Sequence, residues 1–189
     1  LPEYLLSLEE AGVDALLISD FGVWSIARQV VPDMALHVST QANTCNWAAV
    51  EAWKNLGAER VVLARELSIA EISEIDKKCD VELEVFVHGA MCISYSGRCY
   101  LSSYLTGRDG NRGECAQVCR WNYQLVEENR PDQAFPIEED ERGTYIMNSK
   151  DLCLLDLIPE LAEAGVDSLK IEGRMKSVHY VATVVSVYR

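Results

Sequence analysis

Ala11-Gly12-Val13-Asp14-Ala15-Leu16-Leu17-Ile18 recurs as Ala164-Gly165-Val166-Asp167-Ser168-Leu169-Lys170-Ile171, with a weaker copy at Leu56-Gly57-Ala58-Glu59-Arg60-Val61-Val62-Leu63. Each copy reads as a helix ending on glycine, where left-handed backbone is tolerated, then an acidic residue and a short apolar strand. Ahead of one copy, Leu154, Leu157, Ile158 and Leu161 stand at helical spacing. Helix-to-strand units of roughly 20–25 residues predict a parallel α/β protein.

Extending this rhythm predicts strands at 15–19, 35–39, 60–64, 82–87 and 168–172. Helices are expected at 3–11, 21–31, 46–56, 69–79, 152–164 and 177–188. Two segments break the pattern: a Cys- and Arg-rich insertion at 88–122 and an acidic excursion at 129–142. The second reads as exposed, flanked by a hairpin pairing 123–127 with 144–148. Five strands are too few for a closed eight-stranded barrel of about 250 residues. An open doubly wound sheet competes with an incomplete (β/α) barrel. No glycine-rich phosphate loop follows any strand, and Gly12 and Gly165 precede strands, so the expectation is a partial (β/α) TIM-type barrel forming one domain over 1–189.

Composition narrows the function classes. The chain has 189 residues, 49% of them hydrophobic and 25% charged, as in a soluble globular protein. A net charge of −13 argues against whole-surface binding to nucleic acid or anionic membrane. No apolar run approaches the ~20 residues needed to span a bilayer, so no membrane role is expected. Seven cysteines, an odd number in a chain this long, argue against a disulfide scaffold and favour a cytoplasmic protein. The start at Leu1, without methionine, predicts that the natural N-terminus lies upstream.

The chemistry gathers in the insertion. Cys92, Cys99, Cys115 and Cys119 are separated by six, fifteen and three residues, with Gly and Arg between them. Four thiolates converging on one point are what zinc or an iron–sulfur cluster requires. Zinc favours ligand pairs two to four residues apart, a spacing met by Cys115 and Cys119, so the longer gaps lean towards a cluster. Cys153 is a substitute for one of the four, whereas Cys45 and Cys79 read as packed helix residues. From His88 to Trp121, Arg98, Arg108, Arg112 and Arg120 outnumber Asp109 and Glu114, which makes the segment a positive patch on an acidic chain. Tyr95, Tyr100, Tyr104 and Trp121 interleave with these arginines, either as stacking platforms for unpaired RNA bases or as ordinary loop packing.

In a (β/α) barrel the functional residues lie at the C-terminal strand ends. That rule selects His37, Glu84, His88, Lys170 and Glu172 as catalytic candidates. Gln41, Asn43, Arg65, Arg98, Arg112, Arg120 and Arg174 are candidates for substrate binding. The plainer reading of Glu84 is a buried carboxylate in a salt bridge with Lys170 or Arg174, and a lone strand histidine is often structural.

Glu84-Val85-Phe86-Val87-His88-Gly89-Ala90-Met91-Cys92, Ser96-Gly97-Arg98-Cys99, Asn111-Arg112-Gly113-Glu114-Cys115, Cys119-Arg120-Trp121, Asn148-Ser149-Lys150-Asp151-Leu152 and Ser168-Leu169-Lys170-Ile171-Glu172-Gly173-Arg174 resemble peptidase family U32, the collagenase-like peptidases. The resemblance implies a barrel whose first strands lie before Leu1, with a further domain often following Arg189. Members similar to this chain imply oxygen-independent hydroxylation of an RNA base, a wobble uridine of transfer RNA or a cytidine of ribosomal RNA. They also imply a 4Fe–4S cluster, with prephenate as hydroxyl donor, RNA and a small carboxylate as substrates, and a homologous partner subunit. Carried over, Cys92, Cys99, Cys115 and Cys119 become the ligands; in quinone-type relatives the fourth ligand lies further along the chain, which keeps Cys153 as an alternative. The family name implies the alternative of a collagenase-like peptidase, yet the chain has no His-Glu-x-x-His helix and no Gly-x-Ser-x-Gly elbow. A zinc-stabilised binding module is the third alternative.

Overall fold

A computed structural model describes residues 1–121, 123–136, 139–140, 143–144 and 151–189. In chain order they form α1 (Pro2–Glu10), β1 (Ala15–Ile18), α2 (Phe21–Val30), β2 (Ala35–Val38), α3 (Trp47–Asn55), β3 (Arg60–Val62), α4 (Ile69–Lys78) and β4 (Glu82–Ala90). These are followed by α5 (Leu101–Thr106), β5 (Gln124–Glu127), β6 (Arg130–Pro136), β7 (Glu139–Asp140), β8 (Gly143–Thr144) and β9 (Asp151–Cys153). The chain closes with α6 (Ile158–Glu163), β10 (Ser168–Ile171) and α7 (Val178–Tyr188).

The fold is α/β with a parallel sheet. Strand order runs β1-β2-β3-β4-β10, with β9 paired antiparallel to β4. The pairs β1–β2, β2–β3 and β3–β4 are parallel. On β4 and β10 the bonds advance in step, Asp167 N–H to the Leu83 carbonyl and Glu172 N–H to the His88 carbonyl, as in parallel pairing.

Local signals account for the element ends. Asp20, Asn46, Ser68 and Ser177 each accept a backbone N–H of the helix that follows, and Ser68 with Glu71 completes a capping box. Gly12, Gly57 and Gly165, the repeated glycines, all adopt positive φ.

The chain divides into two compact units where the sequence reads as one domain. Unit 1 holds Leu1–Val87 and Leu154–Lys170; unit 2 holds His88–Cys153 and Ile171–Arg189. The core of unit 1 is alternation made solid: Leu16, Ile18, Leu36, Val38, Val61, Leu63, Leu83 and Val85 are buried with Trp24, Val50, Ile75 and Leu161 from the helices. In unit 2 the buried apolar residues among those described are Val118, Cys119 and Val184.

Several expectations are corrected. β4 continues to Ala90, past the expected end at Val87, because β9 pairs with its last residues (His88 with Cys153, Ala90 with Asp151). The helix expected over 152–164 therefore begins as strand, passes through a 3₁₀ turn at Leu155–Leu157 and becomes α-helical at Ile158. Residues 124–127 pair with Arg130–Pro136 instead of 144–148, so much of the acidic excursion is a strand. Of its expected partner segment, residues 145–148 lie outside the described residues.

Candidate functional sites

In unit 1 the register carries one row of side chains across the sheet: Leu17, His37, Arg60 and Glu82 are successive partners, and Glu84 sits beside Val62 two residues further on. Glu84 is buried, and three groups converge on it. Lys170 Nζ donates to Oε1 at 2.7 Å, Ser168 Oγ to Oε2 at 3.0 Å, and the Arg60 guanidinium to Oε2 at 3.4 Å. Arg60 also donates twice to Glu82, at 2.8 and 2.6 Å. Burial pushes the Glu84 carboxyl up, but the bonds and charges of Lys170, Ser168 and Arg60 outweigh it, and its pKa lies below the ordinary value. Burial, then the Arg60 charge, lowers the His37 pKa against the opposing pull of Glu84, Glu59 and Glu82.

Glu84 is thus the third residue of a nine-residue strand, inside the sheet and not at the strand end that the barrel rule supposed. The ion pair with Lys170 is present as the plainer reading held. Arg60, which pattern reading passed over, is the residue that links His37, Glu82 and Glu84. An arginine opening an apolar strand opposite Glu82 and Glu84 was the available signal. Arg65 lies over the Phe86 ring at 4.1 Å, with Lys170 Nζ 5.6 Å from the same ring. Gln41 lies in the 3₁₀ turn after β2, begun by Ser39 and ended by Asn43 in left-handed conformation.

Unit 2 holds the thiols. Three of them share one local geometry: Cys92 Sγ accepts the Ser94 N–H at 3.4 Å, Cys99 Sγ the Leu101 N–H at 3.4 Å, and Cys115 Sγ the Gln117 N–H at 3.3 Å. In each case the backbone N–H two residues further along the chain orients the sulfur. Cys119 differs, being buried. Burial raises its pKa, Arg120 opposes this, and the charges of Cys115 and Cys99 raise it further.

Side-chain hydrogen bonds tie down the loops. Buried Ser102 accepts the Ala116 N–H at 2.9 Å and donates to the Arg108 carbonyl at 2.8 Å, while Asn111 Nδ2 donates to the Cys99 carbonyl at 3.0 Å. Gly89 has φ +106°, and a Cβ there would stand 2.2 Å from the Glu172 carbonyl oxygen, so this position demands glycine. Arg174 reaches back to Gly113, where an added Cβ would meet its guanidinium. The Arg174 backbone N–H donates to the Glu172 carboxylate at 3.0 Å.

Four cysteines stand on one segment, three of them in an N–H···S geometry. Among the described residues, no three His, Cys, Asp or Glu side chains are gathered closely enough to hold a single metal ion. Cys153 is exposed in β9, with Sγ 4.0 Å from the Tyr188 hydroxyl. His88 Nδ1 lies 3.3 Å from the same hydroxyl, and its ring stands between Tyr188 and Tyr180, with centroids 5.6 and 6.0 Å away. Asp151 receives Arg120, the Tyr180 hydroxyl at 3.4 Å and Lys176 at 3.7 Å. Burial raises the Asp151 pKa, but Arg120 and Lys176 dominate and hold it below the ordinary value. Arg120, a candidate for substrate, therefore has an internal partner. Arg98 and Arg112 are exposed, Arg112 with Asp109 at 3.5 Å. Asp151, Tyr180 and Tyr188 were absent from the sequence-based site because their meeting depends on β9 and α7.

The parallel sheet and the cysteine-bearing segment define an α/β protein with a cysteine-rich unit. The profile of Peptidase family U32 matches residues 1–189, and the chain belongs to that family. It is 51% identical over 189 residues to tRNA hydroxylation protein P1 of Bacillus subtilis (strain 168), covering 100% of this chain and 44% of the relative. Identity to tRNA hydroxylation protein P of Escherichia coli (strain K12) is 43% over 220 residues, covering 95% of this chain and 49% of the relative. The 23S rRNA 5-hydroxycytidine C2501 synthase of the same strain is 36% identical over 185 residues, covering 98% of this chain and 27% of the relative. The chain thus spans less than half the length of these curated relatives. Among the described residues, no helix is long and apolar enough to cross a membrane.

Proposed function

We propose that this chain is part of an iron–sulfur enzyme that hydroxylates an RNA base without dioxygen, a transfer-RNA wobble uridine or a ribosomal-RNA cytidine. The observation that carries the reading is the N–H···S geometry repeated at Cys92, Cys99 and Cys115, in a chain whose relatives are named for RNA hydroxylation. Cys92, Cys99, Cys115 and Cys119 would hold a 4Fe–4S cluster, with Cys153 the substitute for Cys119. Bound there, the cluster supplies one-electron chemistry that needs no dioxygen. The proposed exchange turns a base C–H into C–OH while a C–OH bond of an organic donor breaks and its carbon takes up the hydrogen. The base is thus oxidised by two electrons and the donor reduced by two. Prephenate, which carries two carboxylates, is the proposed one, and arginines such as Arg112 and Arg174 suit carboxylates through paired N–H bonds. His37, kept neutral by burial and Arg60, is fitted to accept a proton.

The sheet is proposed to be part of a (β/α) barrel in the cytoplasm. Its order runs β1-β2-β3-β4 without the reversal that marks a doubly wound sheet. The test is complementation. Full-length Cys92→Ala protein in a strain lacking the endogenous enzyme should leave the base unmodified by mass spectrometry. Normal restoration of the modified base would sink the proposal, and peptide cleavage that survives iron removal would favour the peptidase reading.

A further inference from the structure

We infer that Tyr100 and Tyr104, flanked by Arg98, Arg108 and Arg112, form a landing surface for unpaired RNA bases, an inference that rests on the RNA-modifying reading above. The sequence left these rings open to two readings, platform or packing. In unit 2 they do not pack: Tyr100 is 78% exposed and Tyr104 85%, the highest values among the described aromatic residues. The Tyr104 N–H donates to the Tyr100 carbonyl at 2.9 Å, one helical turn, so both rings leave the same side of α5.

The helix beneath them is held in place. Ser102, on the intervening turn, is 1% exposed and ties α5 to Arg108 and Ala116. Gly107, in left-handed conformation, ends the helix. A short helix anchored on one side and carrying two bare rings on the other is a platform, and it does not depend on its own apolar contacts to stay formed.

Charge selects the occupant. Between Arg98 and Arg112 the chain carries three arginines and one acidic residue, Asp109, on a protein of net charge −13. All three arginines are exposed. Rings set among arginines match a phosphate backbone with unstacked bases. Duplex RNA hides its base faces, so the surface suits loops and single strands.

The test uses the full-length protein and fluorescence anisotropy with two probes: a fluorescein-labelled RNA hairpin with an unpaired loop, and a loopless duplex of the same stem. Tyr100→Ala and Tyr104→Ala should each weaken hairpin binding about 5- to 100-fold and leave duplex binding unchanged, while the Phe variants bind like wild type. Arg98→Gln, Arg108→Gln and Arg112→Gln should each shallow the log–log salt dependence by about 0.7. Alanine variants that bind the hairpin as wild type does would overturn the surface, and if they also hydroxylate RNA normally the enzymatic reading survives it. A wild-type protein that neither binds nor modifies RNA would remove both. A Tm drop of several degrees in the alanine variants would assign the rings to packing within the whole protein, which also overturns the inference.

Discussion

Unit 1 and unit 2 hold their polar groups in opposite ways. In unit 1 the charges lie in a sheet over a continuous apolar core, and each is neutralised by a neighbouring strand: Glu84 by Lys170 and Arg60, Glu82 by Arg60. Among the described residues of unit 2 the buried apolar ones are few, and the loops are pinned by Ser102, Asn111 and N–H···S bonds. Under the proposed function, a group held by these thiols would turn ligation free energy into folding free energy for this region. Unit 1 rests on its own packing and ion pairs, and the proposed function makes unit 2 the part that a bound group would complete.

The largest effect that can break this contrast comes from the thiols. Cys99→Ala or Cys115→Ala in the full-length protein should abolish base modification and expose segment 88–121 to limited proteolysis, with cleavage sites in 1–87 unchanged. Equal protection of segment 88–121 in wild type and variant would mean that unit 2 needs no ligand. Gly89→Ala comes next. Left-handed backbone and the collision with the Glu172 carbonyl should cost about 3 kcal/mol or more in urea unfolding. A cost below about 1 kcal/mol would show that β4 and the turn after β10 are looser than described.

In unit 1, Glu84→Ala should cost about 2 kcal/mol at neutral pH, since it strands Lys170 and Ser168 in a half-buried site. The folded pKa of Glu84 is depressed below its ordinary 4.5, so its contribution is present above that pH and fades as pH falls through the folded value. The gap between wild type and variant should close on acidification, and a gap independent of pH would assign the loss to packing alone. The smallest effect belongs to His37. Its folded pKa is below 6.5, so the unfolded chain binds the extra proton and wild type loses stability as pH falls from 6.5 through the folded value. His37→Asn should flatten that slope. An unchanged slope would move the titration elsewhere.

What could be read from the sequence follows the range of the interaction. The Ala-Gly-Val-Asp repeats located helix ends and strands to within a residue or two, because glycine φ, caps and alternation are local. The Glu84–Lys170 pair was foreseeable from desolvation: a carboxylate on a core strand needs a cation. The cysteines announced themselves by spacing, whereas their N–H···S bonds required a turn at each of the three. Strand β9 escaped because three residues paired antiparallel to β4 leave no period to detect, and with it went the meeting of His88, Cys153, Asp151, Tyr180 and Tyr188. The exposure of Tyr100 and Tyr104 was equally hidden, since spacing on so short a helix does not tell platform from packing.

The most direct measurement is iron, sulfide and zinc analysis of anaerobically purified full-length protein, with the visible spectrum, for wild type and Cys92→Ala. The account predicts matched iron and sulfide with charge-transfer absorbance in wild type and their loss in the variant. Stoichiometric zinc without sulfide, or folded and active protein with no metal, would contradict it.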